Sequence, residues 1–217
     1  PAVLGPVNGA ALIRDILDSL DNSGWITTTL AEIKNRADFV LVIGNGAVNR
    51  FPRFLERAVW PNDAMFAAVA ERKVVFLGEV DSLDIAAPKP ITRLHCSHSS
   101  LSRIVPALRA IVNGQPIGAS QFAPSDIKTL QDLAAQMRQA RYGVIVWAAS
   151  DFDFAHGELT IQTLAEMIKD LNKTIRFAGF PLGVTAGVFV NTFDLTLASS
   201  WNGAYVTANG GTPASAE

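Results

Sequence analysis

Short apolar runs without a polar interruption constrain this chain more than any other feature. Phe39-Val40-Leu41-Val42-Ile43 runs straight into Gly44-Asn45-Gly46. In a strand successive side chains alternate between two faces, so such a run has no face to offer to water. It reads as a central strand of a parallel sheet, closed by a tight turn. Val74-Val75-Phe76-Leu77 and Val144-Ile145-Val146-Trp147 repeat the design, and a shorter apolar run spans Ile175 to Phe177.

Helical periods lie between these strands. From Asp126 to Ala140 apolar residues recur at Ile127, Leu130, Leu133, Ala134 and Met137, with Ser125 as the expected N-cap. From Glu158 to Leu171 the same spacing holds Ile161, Leu164, Ile168 and Leu171. Leu101 to Val112 carries Ile104, Val105, Leu108 and Ile111 and stops at Asn113-Gly114, while Pro106 predicts a late start or a kink. Pro52 suits the first turn of a helix running to Trp60, and a second short helix is expected from Ala64 to Arg72. Strand-helix-strand order implies right-handed crossovers and an α/β fold with helices on both faces of the sheet. The stretch Gly114 to Pro124 breaks the pattern. The reading is a first α/β half over 1–114, a connection over 115–124, and a second half over 125–217.

Composition narrows the function classes. Hydrophobic residues make up 49% of the 217 and charged ones 18%, with mean hydropathy +0.23. No run of 18 apolar residues exists, so a membrane span is not expected, and strands buried on both faces or a large subunit interface account for the excess. A net charge of −2 without a Lys/Arg-rich block argues against nucleic-acid binding. The single cysteine, Cys96, allows no internal disulfide and fits a reducing cytosol. The first residues lack the basic segment and apolar stretch of a secretory signal, so a cytoplasmic protein is expected.

Several clusters invite chemistry, each beside a plainer reading. Gly44-x-Gly46 lies where a nucleotide-binding turn would, but Asn49 holds the place of the third glycine of the dinucleotide fingerprint and no suitably spaced acid follows. A structural turn is preferred, with Asn45, Asn49 and Arg50 as candidates for lining a crevice. His95-Cys96-x-His98 lacks the ligands of a zinc site. Asp151 and Asp153 near His156 suit acid–base work, but solvated loop carboxylates capping the next helix explain them better. Arg50, Arg53 and Arg57 form a stripe that is either a solvated face or an anion contact. The segment from Gly179 to Val188, with Gly183 and Gly187, permits close backbone approach to a ligand or another chain, and leads to Trp201.

A resemblance enters on these residues. Glu32-Ile33-Lys34-Asn35-Arg36-Ala37-Asp38, the following apolar strand, Gly44, and Phe51-Pro52-Arg53 resemble a stretch of the B-type subunit of formylmethanofuran dehydrogenase. Ala107-Leu108-Arg109 through Asn113-Gly114, then Asp170-Leu171-Asn172, Gly183 to Gly187, and Trp201 with Gly203 are similar to later motifs of that family, in the same order. The resemblance implies the molybdopterin oxidoreductase fold, built from Rossmann-like α/β layers. In the family's redox subunit a cysteine upstream of the Asn-Arg-Ala-Asp motif holds tungsten or molybdenum. Residues 1–38 contain neither Cys nor His, and Leu4, Leu12 or Ile13 offers no donor atom. An iron–sulfur cluster needs four cysteines. No metal pterin or cluster is therefore expected on this chain.

The departure resembles the metal-free B-type subunit of the formyltransferase/hydrolase complex of methylotrophic bacteria. The resemblance implies a non-catalytic scaffold in tetrahydromethanopterin-linked one-carbon metabolism, with amidohydrolase-like A, C and formyltransferase D partners. A furan-type one-carbon carrier then belongs to the complex. Asn45, Asn49, Arg50, Arg53, Gly183, Gly187 and Trp201 are the expected contacts with carrier or partners. The rival readings are a pterin-dependent formylmethanofuran dehydrogenase subunit and a small-ligand-binding α/β module.

Overall fold

The computed structural model describes residues 26–79, 91–118 and 122–182. Gly183, Gly187 and Trp201 lie outside them. The elements are α1 (Leu30–Arg36), β1 (Phe39–Ile43), α2 (Gly46–Arg50), β2 (Lys73–Gly78), β3 (Thr92–His95), α3 (Leu101–Val112), α4 (Pro124–Gln139), β4 (Tyr142–Trp147), α5 (Gly157–Leu171) and β5 (Arg176–Pro181), with a π-helical turn at Leu55–Val59. The strands make one parallel sheet in the order β3-β2-β1-β4-β5. Strands from both sides of segment 115–124 thus enter the same sheet, with β1 against β4 at its centre.

Every residue of β1 is buried, and the alternation of side chains shows why. Phe39, Leu41 and Ile43 face a core with Val75, Ile145 and Trp147, covered by α3, α4 and α5. Val40 and Val42 face a second core with Phe76, Val144 and Val146, covered by Ile33, Val48, Leu55 and Val59. A sheet covered on both faces has no polar face to present, which accounts for part of the apolar composition.

The helix predicted over Leu101–Val112 has those bounds and runs through Pro106; its C-terminal stop is Gly114 at φ +72°. The start of α4 differs from expectation. Pro124 holds the first helical position and Ala123 the cap, because proline's fixed φ suits that turn and its missing N–H would have had no partner there. The helix expected from Ala64 to Arg72 shrinks to a single 3₁₀ turn at Val69–Glu71. Asn35 holds the preceding segment instead: its carbonyl accepts from the Phe66 and Ala67 amides and its Oδ1 from the Met65 amide. Gly179 and Pro181, beyond the apolar run that the sequence marks at Ile175 to Phe177, belong to β5. A Cβ at Gly179 would stand 2.8 Å from the Trp147 ring, so glycine lets the strand lie against it.

Arg72 joins the layers. It is 5% exposed, and its guanidinium donates to the carbonyls of Lys34, Ala37, Ala58 and Val59. These are carbonyls at the C-terminal ends of α1 and the π-helical turn, which a cation satisfies well. Burial pushes Arg72 down to about 10, with Asp38 opposing, so it stays charged at neutral pH. Replacing it by an apolar residue of similar length strands these carbonyls. Arg72→Met is expected to lose about 3 kcal/mol of stability, measured as a lower urea midpoint at unchanged slope.

Candidate functional site

In open parallel sheets ligands bind beyond the carboxyl ends of the strands, where the strand order reverses. Here that point lies between β1 and β4. After β1 comes Gly44-Asn45-Gly46, and after β4 comes a turn from Ala148 to Phe152. Asp151 joins the two. Its Oδ1 accepts from the Gly46 amide at 2.9 Å and its Oδ2 from the Ala148 amide at 3.0 Å. The residue is 2% exposed, unlike the solvated loop carboxylate that strand-end position suggested. Asp153 and His156 are exposed. Burial pushes the Asp151 carboxyl up, against the amides of Gly46, Ala148 and Asn45 and the charge of His98.

The glycines fit around this carboxylate. Gly44 has φ +71°, and a Cβ there would stand 2.3 Å from the Asp151 carboxyl carbon. A Cβ at Gly46 would stand 2.5 Å from the Ser150 hydroxyl. The amide of Gly46, which a phosphate over this turn would use, is donated to the protein's own carboxylate. The turn therefore holds an anion that the neighbouring strand supplies. From the sequence Asp151 reads as a solvated loop carboxylate in preference to an acid–base group, because only the β1–β4 pairing brings it to the turn.

Of the other described candidates, Asn45, Asn49 and Arg50 follow the turn directly on α2 and its cap. Asn45 caps α2 and donates from Nδ2 to the Glu79 carbonyl at 3.3 Å. Asn49 is exposed, and Arg50 ends α2. Arg53 is exposed and forks onto Glu56, with Nε–Oε2 3.2 Å and Nη2–Oε1 2.9 Å. It lines an apolar groove of about 470 Å³ with Leu30, Phe51, Pro52, Phe54 and Leu182. Asn45 is not among the residues that line this groove.

Cys96 follows β3, half-buried, and burial with the nearby Glu79 charge pushes its thiol up to about 11. His98 packs edge-on against the Phe154 ring. The residues present do not fit a tungsten or molybdenum centre: the sequence has one thiol, and it is the neutral form that burial favours. Among the described residues no group of three or more His, Cys, Asp or Glu is placed to hold a metal ion. Nor, among them, is any helix long and apolar enough to cross a membrane.

The family-like motifs take part in the framework. Asp38 accepts from the amides of Arg141 and Tyr142 at 2.9 and 3.0 Å, tying α1 to the start of β4. Asp170 on α5 accepts from Arg109 Nε at 3.0 Å and Asn113 Nδ2 at 2.8 Å on and after α3. Its donors hold it well below the usual carboxylate range. Asn172 brackets Phe177, donating to its carbonyl and accepting from its amide.

A parallel sheet in this order, with a glycine turn after its first strand, places the chain among the doubly wound α/β proteins. Its switch point is closed by its own carboxylate. Within that class the chain is homologous to the B-type subunit of the formyltransferase/hydrolase complex of Methylorubrum extorquens, with 30% identity over 185 residues. That match covers 83% of this chain and 45% of the relative. The B-type subunit of the tungsten-containing formylmethanofuran dehydrogenase 2 of Methanococcus maripaludis is 24% identical over 165 residues, covering 76% of this chain and 38% of that protein. The chain thus spans less than half the length of these curated relatives. Among solved structures it resembles a chain of the Methylorubrum extorquens complex FhcABCD determined with methylofuran: TM-score 0.65, 28% identity, 91% of this chain and 49% of that one. No protein-family model matches it.

The clasp predicts two outcomes. Gly44→Ala forces a Cβ into the Asp151 carboxyl at positive φ and is expected to cost about 2–4 kcal/mol, read by urea denaturation. Because its folded-state value is raised, protonation of Asp151 contributes stability that is full below the ordinary carboxylate value and lost as pH rises through the raised one. Asp151→Asn lacks that contribution, so its deficit against wild type should narrow as pH rises through that window.

Proposed function

We propose that this chain is a non-redox structural subunit of a formyltransferase/hydrolase complex in tetrahydromethanopterin-linked one-carbon metabolism. The observation that carries the reading is the reach of the match, taken with what the family-like motif residues do in the fold. The match to the B-type subunit of the Methylorubrum complex covers 83% of the chain, and the described motif residues Asp38, Arg109, Asn113, Asp170 and Asn172 are engaged in framework hydrogen bonds. Such residues preserve a shape against which other subunits assemble. On this reading the sheet is a layer of the molybdopterin oxidoreductase fold, supported by the identity to the B-type subunit of the tungsten enzyme. The chain works in the cytoplasm without metal pterin or iron–sulfur cluster of its own.

The partners on this reading are amidohydrolase-like A, C and formyltransferase D subunits, with a furan-type carrier held in the complex. The exposed apolar surface supports a partnered role: Leu30 is 50%, Met65 75% and Phe66 69% exposed. Asn45, Asn49, Arg50 and Arg53, with Gly183, Gly187 and Trp201, are proposed as contacts with carrier or partners. The test is to tag the chain in its own cells, purify it, and analyse proteins and metals by mass spectrometry. Amidohydrolase-like and formyltransferase-like chains should co-purify, with neither molybdenum nor tungsten bound to this chain. Arg53→Ala should lower the yield of assembled complex and leave turnover per assembled complex unchanged. A solitary chain, or one carrying a metal pterin, would overturn the reading.

A further inference from the structure

The edge of the sheet offers a second cavity, separate from the clasp. Between β3, α3 and the start of α4 lies a cleft of about 500 Å³, within the range of small-ligand sites. Its walls are apolar where Leu94, Ile104 and Phe122 line it, and Leu77 and Leu130 are buried beside them. Two arginines line it from different elements, Arg93 from β3 and Arg103 from α3, with Ser100 and Thr129 beside them. Both arginines are exposed, and among the described residues neither side chain has a hydrogen-bond or ion-pair partner. Asp126 is the one acidic residue of the lining.

An edge strand often carries a charge that discourages pairing with another chain, which would account for Arg93 alone. It does not account for a second arginine, unpaired among the described residues, lining the same cavity from a helix beside its apolar part. Arginine's planar fork matches carboxylate and phosphate oxygens, and the apolar wall suits a ring or short hydrocarbon. We propose that this cleft binds a small anionic molecule with an apolar body, its carboxylate or phosphate held by Arg93 and Arg103.

The test uses the protein as it purifies, with any bound subunits, and isothermal titration with four probes. Phenyl phosphate and benzoate separate the two anion sources; benzyl alcohol supplies the ring without the charge, and inorganic phosphate the charge without the ring. At least one aromatic anion should saturate a single site, with benzyl alcohol and inorganic phosphate weaker by about tenfold or more. Arg93→Gln and Arg103→Gln, at exposed positions and checked by circular dichroism, should each weaken that anion by about tenfold. No saturable binding of either aromatic anion, or affinity unmoved in both variants, overturns the proposal.

Discussion

Two aspartates bound the central strand pair, and the architecture rests on that arrangement. At the amino end of β1, Asp38 accepts two backbone amides from the start of β4. At the carboxyl end, Asp151 after β4 accepts one amide from the turn after β1 and one from its own. Parallel strands distant in sequence need long crossovers, and register is the quantity most easily lost. Side chains fixed at both ends set the pairing of Phe39 with Gly143 and of Ile43 with Trp147. Because β2 and β5 pair outward from these two strands, a slip at the centre would move both faces of the sheet at once.

The elements legible in the sequence were those whose cause is local. An unbroken apolar pentapeptide forms β1, and the helical periods of α3 and α5 sit where the spacing put them. Elements that depend on distant neighbours were not legible. Asn35 holds Met65 to Ala67 away from helical bonding, and no propensity scale registers an asparagine thirty residues upstream. β5 continues through Gly179 because a tryptophan on β4 needs the room. Asp151 reads as a loop carboxylate until β1 and β4 are known to be adjacent. The candidate site was legible only as a turn: Gly44 and Gly46 marked the place, and the anion that explains them came from the other half of the chain.

The same distinction bears on the comparisons. Residues such as Asp38, Asp170 and Asn172 join elements far apart in sequence, and a substitution at any of them leaves a partner unpaired. Such positions hold a shape whether or not the shape performs chemistry. Identity of 30% spread over most of the chain is in keeping with a common framework of this kind. The donors a tungsten centre would need are a different set, and a single half-buried thiol does not supply it.

The clasp also sets what the switch point can accept. A phosphate arriving at the Gly44–Gly46 turn would need the Gly46 amide and the space the Asp151 carboxylate fills. Displacing that carboxylate breaks charge-assisted bonds to two amides, at about 1.5–3 kcal/mol each, and sets two negative groups side by side. Even one such bond lowers affinity by about tenfold or more before repulsion is counted. Nucleotide chemistry is therefore disfavoured at the place where this class of fold usually performs it. At the β3 edge, by contrast, Arg93 and Arg103 line a cleft of mixed polar and apolar walls whose one acidic residue is Asp126.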